Sequence, residues 1–170
     1  MPPSPAIGAS STAIDLLPLA AELQRAALDA PDRPFLRMRT GQWTYGQVWR
    51  DAGRVAAGLQ ALGVVAGDRV SLLLPNGIAF LLAWCALARL GAVAAPLNTA
   101  FRGTVLRDAL DLVQSRLVVV DASLWPQFEP LRPELATVRQ AVLVGTLPQH
   151  AHPPEAVVAW DLLRATGASA

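Results

Sequence analysis

Few residues in this 170-residue chain are equipped for chemistry. The two histidines, His150 and His152, form an H-x-H pair that could hold a metal. They lie among prolines, with Glu155 as the nearest carboxylate, which suits a solvated loop better than a ligand set. Neither histidine has a nucleophile context, so a Ser-His-Asp arrangement has no support. Asp108 and Asp111 stand three apart on a helical pattern, where solvent exposure accounts for both. Cys85 is the single cysteine and sits in an apolar stretch, as a buried small hydrophobe would.

The phosphate-cradling signatures are absent. Neither G-x-G-x-x-G nor G-x-x-x-x-G-K-[ST] occurs. The strand-to-helix turn Leu74-Pro75-Asn76-Gly77 has one glycine, too few for a backbone to wrap a diphosphate. Asp121 ends a strand, where a ribose-binding acid could sit, but it lacks that glycine turn as a companion. All 14 basic residues are arginine, so a lysine ammonium on a phosphate or carbonyl cannot come from these residues.

Those residues need elements to position them. Apolar residues form 53% of the chain and charged residues 16%, which excludes a disordered protein and fits a buried α/β core. A net charge of +1 offers no basic surface for nucleic acid. The uncharged run Val70 to Ala88 is broken by Pro75-Asn76-Gly77, which favours a strand, a turn and a buried helix over a membrane span. One cysteine and no basic leader fit a reduced, cytoplasmic compartment.

Residues 1–13 are expected to be a flexible leader rich in Pro, Ser and Ala. Ile14 to Leu28 has helical spacing, and Phe35 to Arg39 suits a short strand with Gly41-Gln42 as a hairpin turn. Thr44 and Gln47 match a capping box, opening a helix with an apolar face from Tyr45 to Leu62. Gly53 and Gly58 within it point to close packing against a neighbour. Val70 to Leu74 is expected to be a buried strand, Asn76 the cap of a helix over Ile78 to Leu90, and Ala92 to Leu97 a second buried strand. Thr104 to Val113 suits a helix, Leu117 to Val120 and Val138 to Val144 two more strands. Residues 146–170 form a loop-rich tail: Pro148 to Pro154 a loop, Ala156 to Leu163 a strand remnant and a helical turn. The alternation predicts an α/β fold, a mostly parallel sheet with helices on both faces, over residues 14–145.

Two stretches carry more. The first is Gln42-Trp43-Thr44-Tyr45-Gly46-Gln47-Val48, followed after a helix by Gly63-Val64-Val65-Ala66-Gly67-Asp68-Arg69-Val70. The second is Leu87-Ala88-Arg89-Leu90-Gly91-Ala92-Val93-Ala94-Ala95-Pro96-Leu97-Asn98. In order and spacing they resemble the first two core motifs of the adenylate-forming (AMP-binding) superfamily, and Pro31-Asp32-Arg33-Pro34 resembles its lead-in. Asn98 after Pro96-Leu97 looks more like acid–CoA ligases than peptide-synthetase adenylation domains, and Asn98 to Gly103, a helix and then Leu117 to Asp121 resemble the medium- or long-chain fatty acid or carnitine type.

The resemblance implies ATP-dependent activation of a carboxylic acid to an acyl-adenylate, then transfer to CoA, with Mg on the nucleotide. It also implies a phosphate loop, two acids and a lysine that this chain lacks. No catalytic, cofactor-binding or metal residue is therefore carried over, and no cofactor is assigned to these residues alone. Thr44, Tyr45, Gly91, Pro96 and Asn98 are motif positions expected to serve structure. The chain is expected to be an N-terminal ligase segment, inactive alone, partnered by the missing ligase portion or a homologous chain. A non-catalytic interaction module, or half of a split ligase, is the alternative.

Overall fold

The computed structural model describes residues 19–147 and 156–166. The proposed leader, His150, His152 and Glu155 lie outside them, as does the Pro148 to Pro154 loop.

Helix α1 (Leu19–Asp29) leads into a hairpin of β1 (Pro34–Met38) and β2 (Gly41–Thr44). The expected turn at Gly41-Gln42 is displaced. Met38 pairs with Gly41 and Arg37 with Gln42, so Arg39 and Thr40 make the turn. Helix α2 (Tyr45–Ala61) starts at the capping box: Gln47 N–H donates to Thr44 Oγ1 and Thr44 N–H to Gln47 Oε1, at 3.3 and 2.9 Å. Thr44→Ala is expected to cost about 1 kcal/mol. Urea unfolding measures it, and Thr44→Ser should restore most of the loss.

Five parallel strands then form the main sheet: β3 (Arg69–Leu73), β4 (Val93–Pro96), β5 (Leu117–Asp121), β6 (Gln140–Val144) and β7 (Val157–Ala159). Their spatial order is β4-β3-β5-β6-β7. The first strand in sequence thus lies between the second and third, the doubly wound 2-1-3-4-5 arrangement. Helix α3 (Ile78–Leu90) joins β3 to β4, and α4 (Gly103–Val113) joins β4 to β5. A single-turn helix, α5 (Trp125–Phe128), flanked by 3₁₀ turns, joins β5 to β6, and α6 (Trp160–Thr166) follows β7.

Strand alternation splits the core in two. Val70, Leu72, Leu117, Val119 and Val142 pack on α2, α3 and α6. Leu73, Val118, Val120, Ala141 and Leu143 face α4 and α5, with Leu106, Leu110, Trp125 and Phe128. Helices on both faces of a parallel sheet is thus the architecture.

Two local expectations change. The helix after β3 is entered through extended Gly77, with no side-chain cap; Asn76 lies one residue too early to serve. Strand β4 is not buried but forms the sheet edge, with Val93 half exposed. Its alanine-rich sequence lets a short edge pass for a core strand. The segment between Asp121 and Gln140, to which the sequence assigns no element, carries helical turns that its prolines hid. The strand remnant and helical turn expected over Ala156 to Leu163 both form: β7 pairs with β6, and α6 packs on α2.

Candidate functional site

In a doubly wound sheet, ligands are held outside the carboxyl ends of the strands, where the strand order reverses. Here that point lies between β3 and β5. From β3 the chain turns through Leu74-Pro75-Asn76-Gly77 towards α3; from β5 it turns at Asp121 towards α5. Beside it, β4 ends at Pro96 and continues through Leu97-Asn98-Thr99. A cleft of about 330 Å³ opens there, lined by Leu74, Pro75, Asn76, Phe80, Pro96 and Asn98, among others.

Three of the polar side chains at this edge, Asn98, Asp121 and Arg102, are occupied by their own turns. Asn98 Oδ1 accepts the Ala100 N–H at 2.9 Å. Asp121 Oδ1 accepts from both Ser123 N–H and Ser123 Oγ, at 2.9 and 2.6 Å. Arg102 Nη1 donates to the carbonyls of Thr99 and Phe101, at 2.7 and 2.8 Å. These are loop-shaping contacts of the Asx type. A triphosphate needs a run of free backbone N–H groups and a mobile cation. This edge presents single, separated glycines, Gly77, Gly103 and Gly145, rather than a glycine run, and a tethered arginine. The donor set does not fit a nucleotide by itself, nor, among the described residues, is there a cluster of three metal-ligating side chains.

The motif positions named from sequence scatter. Pro96 and Asn98 meet in the cleft, Pro96 level with Leu72 of β3. Thr44 caps α2. Tyr45 packs edge-on against Phe35, ring centroids 4.7 Å apart, and its N–H donates to Arg33 O at 3.1 Å. Gly91 lies at the opposite, amino end of the sheet. It closes α3 in the left-handed region, at φ 67°, and its carbonyl accepts the Gly67 N–H at 2.9 Å. Only glycine takes that conformation without steric cost.

Sequence reasoning missed several buried or half-buried polar contacts. Ser71 and Ser115, both fully buried, share a 2.7 Å hydrogen bond that ties β3 to the loop before β5. Arg89 lies 3.6 Å over the Trp49 ring and donates to the Trp49 carbonyl at 3.2 Å, pinning α3 to α2. Burial pulls its pKa below the usual guanidinium range. Nothing in the helical spacing of Trp49 and Arg89, forty residues apart, signals such a pair.

Cys85 is 2% exposed, and burial pushes its thiol up to about 11. The neutral thiol is therefore favoured in the folded state. Its contribution to stability is complete below about pH 9 and falls as pH rises towards 11, because the unfolded thiol ionises first. Native protein at pH 8 is expected to resist iodoacetamide, and urea should release modification at the rate of a free thiol.

The sequence profile of the family described as AMP-binding enzyme matches residues 23–164. The chain belongs to the AMP-binding enzyme family.

Two curated relatives are fatty acid–CoA ligases. The long-chain-fatty-acid–CoA ligase FadD13 of Mycobacterium tuberculosis is 34% identical over 110 residues, 64% of this chain and 22% of its own length. The long-chain-fatty-acid–CoA ligase of Thermus thermophilus is 34% identical over 122 residues, 70% of this chain and 23% of its own length. Among solved structures, the anthranilate CoA ligase AuaEII, in complex with anthranoyl-AMP, superposes with a TM-score of 0.77 at 24% identity. It covers 86% of this chain, which covers 27% of it. That likeness shows the fold.

The chain thus spans less than a quarter of these curated AMP-binding relatives. Within the matched region the family's α/β layering is present from α1 to α6. Among the described residues, no helix is long and apolar enough to cross a membrane.

Proposed function

We propose that these residues form the scaffold segment of an acid–CoA ligase, which activates a carboxylic acid with ATP and passes the acyl group to CoA. The observation that carries this is a pairing of presence and absence. The α/β sheet and both motif stretches are in place, while Asn98 and Asp121 at the carboxyl edge of that sheet are held by their own turns. The two curated relatives described are both fatty acid–CoA ligases.

On this reading the chain supplies no reacting group. Its lack of lysine removes the cation that would meet the acyl-adenylate in the family reaction. The cleft beside Pro96 and Asn98 shapes one wall, against which the rest of a ligase completes the site. A complete ligase would use ATP, Mg and CoA; those groups are assigned to that assembly and not to these residues. The partner is the remaining ligase portion or a homologous chain, in a cytoplasmic setting.

The exposed β4 edge favours one further reading, in which the segment serves as an interaction module that pairs with another chain. The two differ in outcome. ATP-dependent hydroxamate formation by the isolated 170 residues, tested over aliphatic and aromatic acids, is expected to stay at background. Robust acyl-CoA formation by the chain alone overturns the scaffold reading. Activity gained on adding the rest of a ligase favours it over the interaction module.

A further inference from the structure

We propose that the amino-terminal end of the sheet, opposite the cleft, binds an oligophosphate anion through Arg69, Arg116 and Arg139. The three sit in neighbouring strands or just before them. Val70 is level with Leu117, and Leu117 with Gln140. The residues one step earlier, Arg69, Arg116 and Arg139, therefore stand side by side, at the ~4.8 Å spacing of a sheet. The backbone confirms the juxtaposition: Arg139 N–H donates to the Arg116 carbonyl at 2.8 Å. All three line one open cavity of about 330 Å³, with Gln114 and Gln140 at its sides.

Three like charges abreast repel one another. Among the described residues none of these guanidiniums has a carboxylate within ion-pair distance. Asp68 also lines the cavity, but its Oδ2 accepts the Val65 N–H at 3.0 Å. Arg69 reaches the Val113 carbonyl at the end of α4, at 3.4 Å, while among the described residues Arg116 and Arg139 make no side-chain hydrogen bond. Asp68 and the carboxyl ends of α2 and α4, each worth about half a negative charge, leave the row with about one uncompensated positive charge.

The row spans two strand spacings, roughly 10 Å, longer than one tetrahedral oxyanion. Guanidinium forks match paired phosphate oxygens. An oligophosphate, free or on a nucleotide, fits both the length and the donors. This site is independent of the proposed ligase scaffold.

The test is isothermal calorimetry of the full chain with sodium tripolyphosphate, ATP and sulfate. Wild type is expected to bind the first two, more weakly as salt rises, and sulfate at least tenfold less tightly. R116Q/R139Q is expected to lose at least tenfold in affinity for both ligands, while R37Q/R50Q, exposed arginines elsewhere, is unchanged. A preference for ATP or for tripolyphosphate separates a nucleotide from a bare phosphate chain, and either supports the site if R116Q/R139Q weakens both. No binding at millimolar tripolyphosphate, equal binding of sulfate, or an unweakened R116Q/R139Q overturns it. Circular dichroism checks folding: without ligand, the double variant should melt no lower than wild type, and a marked fall contradicts the unpaired row.

Discussion

Gly58→Ala is expected to destabilise the protein, although alanine in a helix interior normally gains about 1 kcal/mol over glycine. A Cβ at position 58 would collide with the Leu163 carbonyl oxygen and lie 2.6 Å from Leu163 Cγ. Both belong to α6, which crosses α2 at this glycine. Nothing there is the loose end of a flexible side chain, so α6 must shift. Overpacking of this kind costs about 1–3 kcal/mol. Gly58→Val should exceed that and release α6, exposing Trp160 and Leu163, which are 7% and 2% accessible. Gly53 is the internal control. A Cβ there would meet the Arg89 guanidinium at 3.4 Å and beyond, close to ordinary van der Waals contact. Gly53→Ala is expected to be neutral or mildly stabilising. Urea unfolding of the pair gives the sign, and amide exchange locates the loss in α6 and β7.

Phe128→Ala is expected to cost about 3–5 kcal/mol, the range for a buried aromatic truncated to alanine. Phe128 is fully buried on the second face, edge-on to Trp125 with ring centroids 5.7 Å apart. Both lie in the single turn of α5, wedged against α4 and the outward residues of β5 and β6. Leu112→Ala is the matched surface change. Leu112 is 84% exposed on α4, and its loss should stay within about 0.5 kcal/mol. Equal effects of the two substitutions would mean that α5 does not close this face.

These two sites show what the sequence could and could not reveal. Long elements with one strong period were legible. The span Ile78–Leu90 is apolar almost throughout, ends at Gly91, and folds as the helix expected of it. The Thr44–Gln47 capping box is visible as residue types three apart, and both of its hydrogen bonds form. Gly58 was legible as a close approach, but the element approaching it was not. Leu163 lies more than a hundred residues on, in a stretch too short to show a helical period. The α5 region was hidden because Pro126, Pro130 and Pro133 suggest loop, whereas here they sit in single turns that need few backbone bonds.

The candidate site was legible only in part, for a similar reason. Pro96 and Asn98 could be marked from their motif, yet their meeting with Asn76 depends on β3 and β4 lying side by side. The arginine row depends on register across three strands. Each arginine looks like an isolated surface charge in the sequence, and only the alignment of Val70, Leu117 and Gln140 brings the three together.

The scaffold role is tested most directly by replacing the matching segment of the FadD13 ligase with residues 19–166 of this chain. Acyl-adenylate formation from a fatty acid is then followed by pyrophosphate release. The chimera is expected to fold, to form acyl-adenylate and to lose it on substitution of a catalytic residue in the FadD13 portion. A folded chimera that retains ATP binding but forms no acyl-adenylate would contradict the claim that these residues are a ligase scaffold.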